Sequence, residues 1–122
     1  MNAASILYVG LGGMIGSILR YLTGIAIRSV SFPWGTFSVN IIGSFVIGCM
    51  FGIATKHGLL TSDKWWLFIA TGICGGFTTF SALSLETMKL LQENRISTAG
   101  IYIFTSLAAG LMSTYFGFIL TK

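Results

Sequence analysis

Gly72-Ile73-Cys74-Gly75-Gly76-Phe77-Thr78-Thr79-Phe80-Ser81-Ala82-Leu83-Ser84 lies in the middle of an apolar stretch long enough to cross a bilayer. Paired glycines followed by paired threonines are poor helix formers, so the segment predicts a helix broken near its middle. A break at membrane depth frees backbone carbonyls, which is tolerated only where they are buried in protein or line a cavity. Such carbonyls are good ligands for a hard cation such as Na⁺. Two turns beyond the break stands Glu86, the one carboxylate that falls within a span.

Working outward, three further apolar stretches flank this one. The spans run approximately Ala4–Ile27, Thr36–Thr55, Trp65–Leu91 and Ser97–Leu120, and each approaches the ~20 residues a transmembrane helix needs. The separators carry turn and interface residues: Ser31-Phe32-Pro33-Trp34-Gly35, Lys56-His57-Gly58, Asp63-Lys64-Trp65-Trp66 and Gln92-Glu93-Asn94-Arg95. The expected fold is an all-α membrane protein, with residues 1–122 forming a single four-helix transmembrane domain. Composition agrees with this. Of 122 residues, 54% are hydrophobic and 8% charged, and seven basic and three acidic side chains cannot cover a soluble domain. The mean hydropathy is +0.86. The basic residues are scattered singly, which fits contact with membrane lipid and excludes a nucleic-acid patch. The N-terminus lacks the Lys or Arg of a cleavable signal, and its apolar stretch is too long for one. Cys49 and Cys74 sit in apolar runs without CxxC spacing and read as buried thiols.

Charge gives little orientation. With four spans, the second loop and the C-terminus share a side and carry Lys56, Lys64 and Lys122. The first and third loops carry Arg28, Lys89 and Arg95, with Arg20 joining them if it snorkels outward. The positive-inside rule has almost nothing to act on, so insertion both ways up and antiparallel pairing are expected. Sixteen glycines exceed the ordinary share of ~7%. Gly12 and Gly16, Ser44, Gly48 and Gly52, and Gly72 and Gly76 follow the small-xxx-small spacing of close helix packing.

The remaining signal is polar residues at membrane depth, each costly unless it lines a cavity or meets a partner helix. Arg20 reads either as a snorkelling cation or as a funnel for anions at a vestibule. Thr36 and Asn40 share one face of the second helix, and the Asn amide suits either a neighbouring helix or an anion. Tyr102, Ser106 and Thr114 form a hydroxyl stripe along the fourth helix, with Gly110 at the missing step. By its residues alone the stripe serves equally as glue between helices or as the wall of a pathway.

The ordered patterns Gly12-Gly13-x-x-Gly16-x-x-x-Arg20-Tyr21, Gly35-Thr36-x-x-Val39-Asn40-x-x-Gly43 and Gly72-x-x-Gly75-Gly76-Phe77-Thr78-Thr79-Phe80-Ser81 resemble the Fluc/CrcB fluoride channels over essentially the whole chain. The resemblance implies an antiparallel dual-topology dimer with two fluoride pores and a structural Na⁺ at its centre. Carbonyls of Gly75 and Thr78 from each subunit would hold the Na⁺. The fluoride pathway would comprise Asn40, Thr36, Phe80, Ser81, Ser84, Glu86, Tyr102, Ser106 and Thr114, with Arg20 in the vestibule. The implied partners are fluoride ion and a second subunit, identical or a paralogue, and the implied location is the prokaryotic plasma (inner) membrane, crossed in multiple passes. The chain departs from the usual pattern at Leu83, where a second pore Phe is common, and at Gly110 and Ala82, where hydroxyl residues occur.

Two other readings fit a chain of this shape. A small proton-coupled multidrug antiporter also has four helices and dual topology, but it wants an acidic residue deep in the first helix, where this chain has Arg20. A non-transporting scaffold built on glycine faces would not require Asn40, Thr78 or the hydroxyl stripe. No nucleophile–base pair or metal-ligating side-chain cluster is visible, so no enzyme is expected.

Overall fold

The computed structural model describes residues 2–122. The described chain is all-helical: α1 (Ala3–Ala26), α2 (Trp34–His57), α3 (Trp66–Cys74), α4 (Gly75–Phe77), α5 (Phe80–Gln92) and α6 (Ile96–Thr121). Elements α3, α4 and α5 together make one span, Trp66–Gln92, so four helical segments are long and apolar enough to cross a membrane. Capping sets several boundaries. Asn2 accepts from the Ser5 amide at 2.8 Å to open α1, and Gly58, at φ +66°, closes α2 in the left-handed conformation that glycine adopts without strain.

Packing follows the glycines. Helix α1 lies on the α3–α4 half of the third span, and α2 lies on α6. A Cβ at Gly12 would strike the Phe68 carbonyl and the Gly72 backbone; one at Gly16 would strike the Ile73 carbonyl and the Phe77 amide. On the other seam, Gly48 faces the Thr114 backbone and Gly117 faces the Phe45 carbonyl and Cys49. In lipid, where burying apolar surface against other apolar surface gains little, this backbone proximity is what holds helices together. The predicted small-xxx-small faces are therefore the two main seams. Cys74 is buried, Cys49 is half-buried, and both are free thiols.

One feature departs from the sequence reading and a second refines it. The third span begins with i→i+5 winding over Trp66–Cys74, where an ordinary α-helix was expected. Such wide turns are rare and tend to mark functional positions. Here the wide-turned segment rests its backbone on Gly12, and that close contact accompanies the looser internal bonding. The break, moreover, falls on the threonines and not on the glycines. Gly75 is helical (φ −62°, ψ −39°), whereas Thr78 (φ −84°, ψ 155°) and Thr79 (φ −153°, ψ 118°) are extended. β-Branched threonines suit extended backbone, and glycine kept helical lets α1 approach without a side chain in the way. A Cβ on Gly76 would meet the Gly13 carbonyl.

The ends of the bundle are tied across the loops. Arg95 donates from Nη1 to the Val30 carbonyl at 3.0 Å and from Nη2 to the Ser31 carbonyl, so the first and third loops meet at one end. Beneath them Phe32 packs on Trp34 and, edge-on, on Tyr102, with ring centroids 4.5 and 5.3 Å apart. Aromatic clusters of this kind sit at the membrane–water boundary.

Candidate functional site: the broken third helix and its cavities

A broken helix leaves amides and carbonyls without intrahelical partners, and the structure shows where each one goes. The Thr78 amide and Thr78 Oγ1 both donate to the Cys74 carbonyl, at 3.0 and 2.8 Å. Arg20 Nε donates to the Gly76 carbonyl at 2.9 Å. The Thr79 amide donates to Asn40 Oδ1 at 2.8 Å, while Asn40 Nδ2 donates back to the Thr79 carbonyl at 3.2 Å. Thr79 Oγ1 accepts from the Ala82 amide at 3.1 Å and so caps the restarted helix α5. The Asn40 amide thus reproduces a strand-like pair with one extended residue, which only a side chain with both donor and acceptor can do. No described residue donates a hydrogen bond to the carbonyl of Gly75 or of Thr78, the two predicted cation ligands. Among the described residues no group of three or more His, Cys, Asp and Glu side chains could hold a metal ion, so a cation here would depend on carbonyl oxygen.

Two cavities flank the break, and a third opens at the loop end. One of about 370 Å³ is lined by Asn40, Ser44, Cys74, Gly75, Thr78, Thr79, Phe80, Leu83 and Ser106, among others. Ser106 Oγ is buried there with no hydrogen-bond partner, the one such buried side-chain atom among the described residues. A buried hydroxyl without a partner is uncommon and calls for an acceptor. A second cavity of about 290 Å³ lies between α1 and α2, with Arg20, Thr36 and Thr79 in its wall. The third, about 830 Å³, opens at the loop end and includes Arg28, Thr36, Glu86, Lys89 and Arg95.

The predicted site residues divide among these places. Asn40, Phe80 and Ser106 meet at the 370 Å³ cavity with Gly75 and Thr78. Thr36 and Glu86 sit at the mouth, where Thr36 Oγ1 donates to Glu86 Oε2 at 2.9 Å and Tyr102 OH donates to Oε1 at 2.7 Å. Tyr102 is 0% exposed, and both hydroxyl protons are committed to the carboxylate. Ser81 and Ser84 lie on the exposed face of α5, with Ser81 Oγ 3.1 Å from Thr79 Oγ1. Thr114 stands apart from all three cavities and bonds the carbonyls of Ser44 and Gly110, at 3.0 and 3.1 Å. The hydroxyl stripe of α6 is therefore split between three duties rather than forming one wall. Arg20 is half-buried; its Nε donates to the Gly76 carbonyl, and the residue lines the 290 Å³ cavity. Phe80 is 75% exposed whereas Leu83 is 7% exposed, so the two positions face different surroundings.

Thr79 was missed as a site residue by the sequence reading. It lines two of the cavities, caps α5 and carries the backbone pair with Asn40. Its signal was the second threonine of the pair, an N-cap residue three positions before Ala82 and directly before a restarting apolar run.

Four spans, one of them interrupted between two cavities, define a multi-pass membrane protein. The chain belongs to the CrcB-like family, whose model, described as CrcB-like protein, Camphor Resistance (CrcB), matches residues 7–118. Over 121 residues it is 46% identical to the fluoride-specific ion channel FluC of Flavobacterium psychrophilum, covering 97% of each chain. Relatives of the same name from Methylobacillus flagellatus and Helicobacter pylori are also 46% identical over 121 residues, covering 96% and 95% of this chain and 94% and 92% of theirs. These relatives are ion channels, not enzymes.

Proposed function

We propose that this protein is a passive, fluoride-selective channel that lets cytoplasmic fluoride leave the cell and so relieves its toxicity. The observation that carries the reading is the partnerless hydroxyl of Ser106, buried beside Asn40 and Phe80 in a cavity of about 370 Å³. Fluoride is small and strongly hydrated, so a pore must replace its water with donors. Ser106 offers an uncommitted O–H, and Asn40 keeps one amide hydrogen beyond the one given to Thr79. The Phe80 ring adds the positive edge of an aromatic quadrupole. The relatives, fluoride-specific ion channels by name, support the same reading.

The assembly that fits is an antiparallel dimer, of two copies or of this chain with a paralogue, containing two pores. Dual insertion is supported by the charge balance once Arg20 is removed from the count. Lys56, Lys64 and Lys122 on one side then face Arg28, Lys89 and Arg95 on the other, three against three. A structural Na⁺ at the dimer centre fits the Gly75 and Thr78 carbonyls, because both lack hydrogen-bond donors and a cation would satisfy them. The prokaryotic inner membrane is the bilayer in which such export serves the cell.

Efflux from liposomes containing only this purified protein tests the reading, with a fluoride electrode as detector and chloride as control. Rapid fluoride release without chloride release is expected. Retention of fluoride by well-folded protein, alone and with paralogous subunits, would refute it.

A further inference from the structure

Four hydroxyl residues line the 370 Å³ cavity: Ser44, Thr78, Thr79 and Ser106. Two of the hydroxyls are occupied. Thr78 Oγ1 donates to the Cys74 carbonyl, and Thr79 Oγ1 accepts from the Ala82 amide and lies 3.1 Å from Ser81 Oγ. Ser106 Oγ has no partner. Ser44 is half-buried, and its hydroxyl forms no hydrogen bond among the described residues; the side-chain bond to Ser44 is made by Thr114 Oγ1 to its carbonyl. The register of the α2–α6 seam explains where Ser44 stands. The two helices run parallel, with Gly48 against the Thr114 backbone and Gly52 against Phe118 and Thr121. Steps of four back along both helices bring Ser44 opposite Gly110 and Asn40 opposite Ser106. The first pairing is direct, since a Cβ on Gly110 would lie 3.6 Å from Ser44 Oγ and would meet no other neighbour within 4 Å.

We propose that Ser44 is a second hydroxyl donor to the permeating fluoride, standing across the seam in the place that Gly110 leaves empty on α6. The assignment deepens the channel reading and rests on it. Asn40 and Ser106 make one rung of donors and Ser44 the next, one helical turn or about 5.4 Å along. A strongly hydrated anion moves quickly only if each donor it leaves is followed by another within reach, and two modest sites serve conduction better than one tight site. Thr114 cannot fill this role, because its hydroxyl is already divided between the Ser44 and Gly110 carbonyls. Toward the second loop the cavity wall is Ile47 and Ala70, so Ser44 is the last free hydroxyl before apolar surface.

Fluoride-electrode efflux from liposomes holding the full chain tests the assignment, and wild type decides the channel reading in the same experiment. Ser44→Ala should lower efflux by about tenfold, as expected for losing one hydrogen bond to a charged group. Its unfolding temperature in detergent should stay unchanged, because the hydroxyl binds no protein group. In that background Gly110→Ser returns a hydroxyl to the same place from the opposite helix, where its Cβ has ordinary contact, and should restore efflux to within about threefold of wild type. Gly110→Ala adds the Cβ without the hydroxyl and should restore nothing. If wild type conducts and Ser44→Ala stays within about threefold of it, the proposal is overturned. Equal rescue by alanine and serine at position 110 would overturn it as well, because the defect would then be one of packing. Should Ser44→Ala aggregate, Ser44→Cys, nearly isosteric but a weak donor, repeats the measurement, and full efflux there would overturn the proposal too. Absence of fluoride release from wild type would refute the channel reading itself, and this assignment with it.

Discussion

Replacing Asn40 by Asp changes one atom of the pair that stabilises the break, and its consequences separate pore chemistry from packing. The Oδ1 that accepts from the Thr79 amide at 2.8 Å can remain, but the Nδ2 that donates to the Thr79 carbonyl at 3.2 Å becomes an oxygen. Leaving that carbonyl without a donor costs about 1–3 kcal/mol of stability. The larger effect falls on the ion. A carboxylate about 5 Å from a passing anion, at an effective dielectric of about 20, raises its energy by about 3 kcal/mol. Efflux should therefore fall by about a hundredfold. Asn40→Ala loses both bonds to Thr79 but adds no charge, so it should be the less stable variant and the better conductor of the two. Fluoride-electrode efflux from liposomes, paired with thermal unfolding in detergent, reads both quantities. If monodisperse Asn40→Asp conducts within about threefold of wild type, Asn40 does not border the ion's path and the argument from the 370 Å³ cavity fails.

Gly48→Ala drives a methyl into the Thr114 backbone across the α2–α6 seam and should destabilise the protein by about 1–3 kcal/mol, read as a lower unfolding temperature in detergent. Gly100→Ala, with open space at its Cβ, is the control and should be neutral or slightly stabilising. Tyr102→Phe leaves Glu86 with Thr36 as its only hydroxyl donor and should cost about 1–3 kcal/mol in the same assay; an unchanged unfolding temperature would mean water replaces the phenol. Leu83→Phe should fold and remain monodisperse, because Leu83 borders the 370 Å³ cavity and the ring has space to enter. Aggregation of that variant on size exclusion would show that the space is not available.

The number of spans and both glycine seams were legible in the sequence because they depend on length, hydropathy and spacing. The broken third helix was legible too, and within the predicted Gly-Gly-Phe-Thr-Thr segment the break falls on the threonines. Glycine is a poor helix former in isolation, yet Gly75 and Gly76 stay helical, with Gly76 packed against Gly13, and the extended conformation passes to Thr78 and Thr79. That outcome depends on which residue faces a neighbour, a tertiary fact. The same limit applies to the polar groups. Tyr102, Ser106 and Thr114 share a helical face in sequence, but one donates to Glu86, one has no partner and one is bound to Ser44. Arg20 shows it most clearly, since both sequence readings sent its charge outward to water and neither anticipated the Gly76 carbonyl. The wide-turn winding of Trp66–Cys74 left no mark in the residue pattern.

The Arg20–Gly76 bond also constrains how the protein is made. The two residues are 56 positions apart, so at about 5–20 residues per second the first span emerges about 3–11 s before its partner carbonyl exists. During that interval the guanidinium has no bond of its own, and in α1 (Ala3–Ala26) it lies beyond the span's centre, so its cost stays below about 2.5–3.5 kcal/mol, the figure for a charge at the bilayer midplane. The first span is expected to settle to its final depth only once the third span supplies the Gly76 carbonyl. On that expectation the helix synthesised first is among the last to reach its final position, so truncation before Gly76 should leave α1 less firmly inserted.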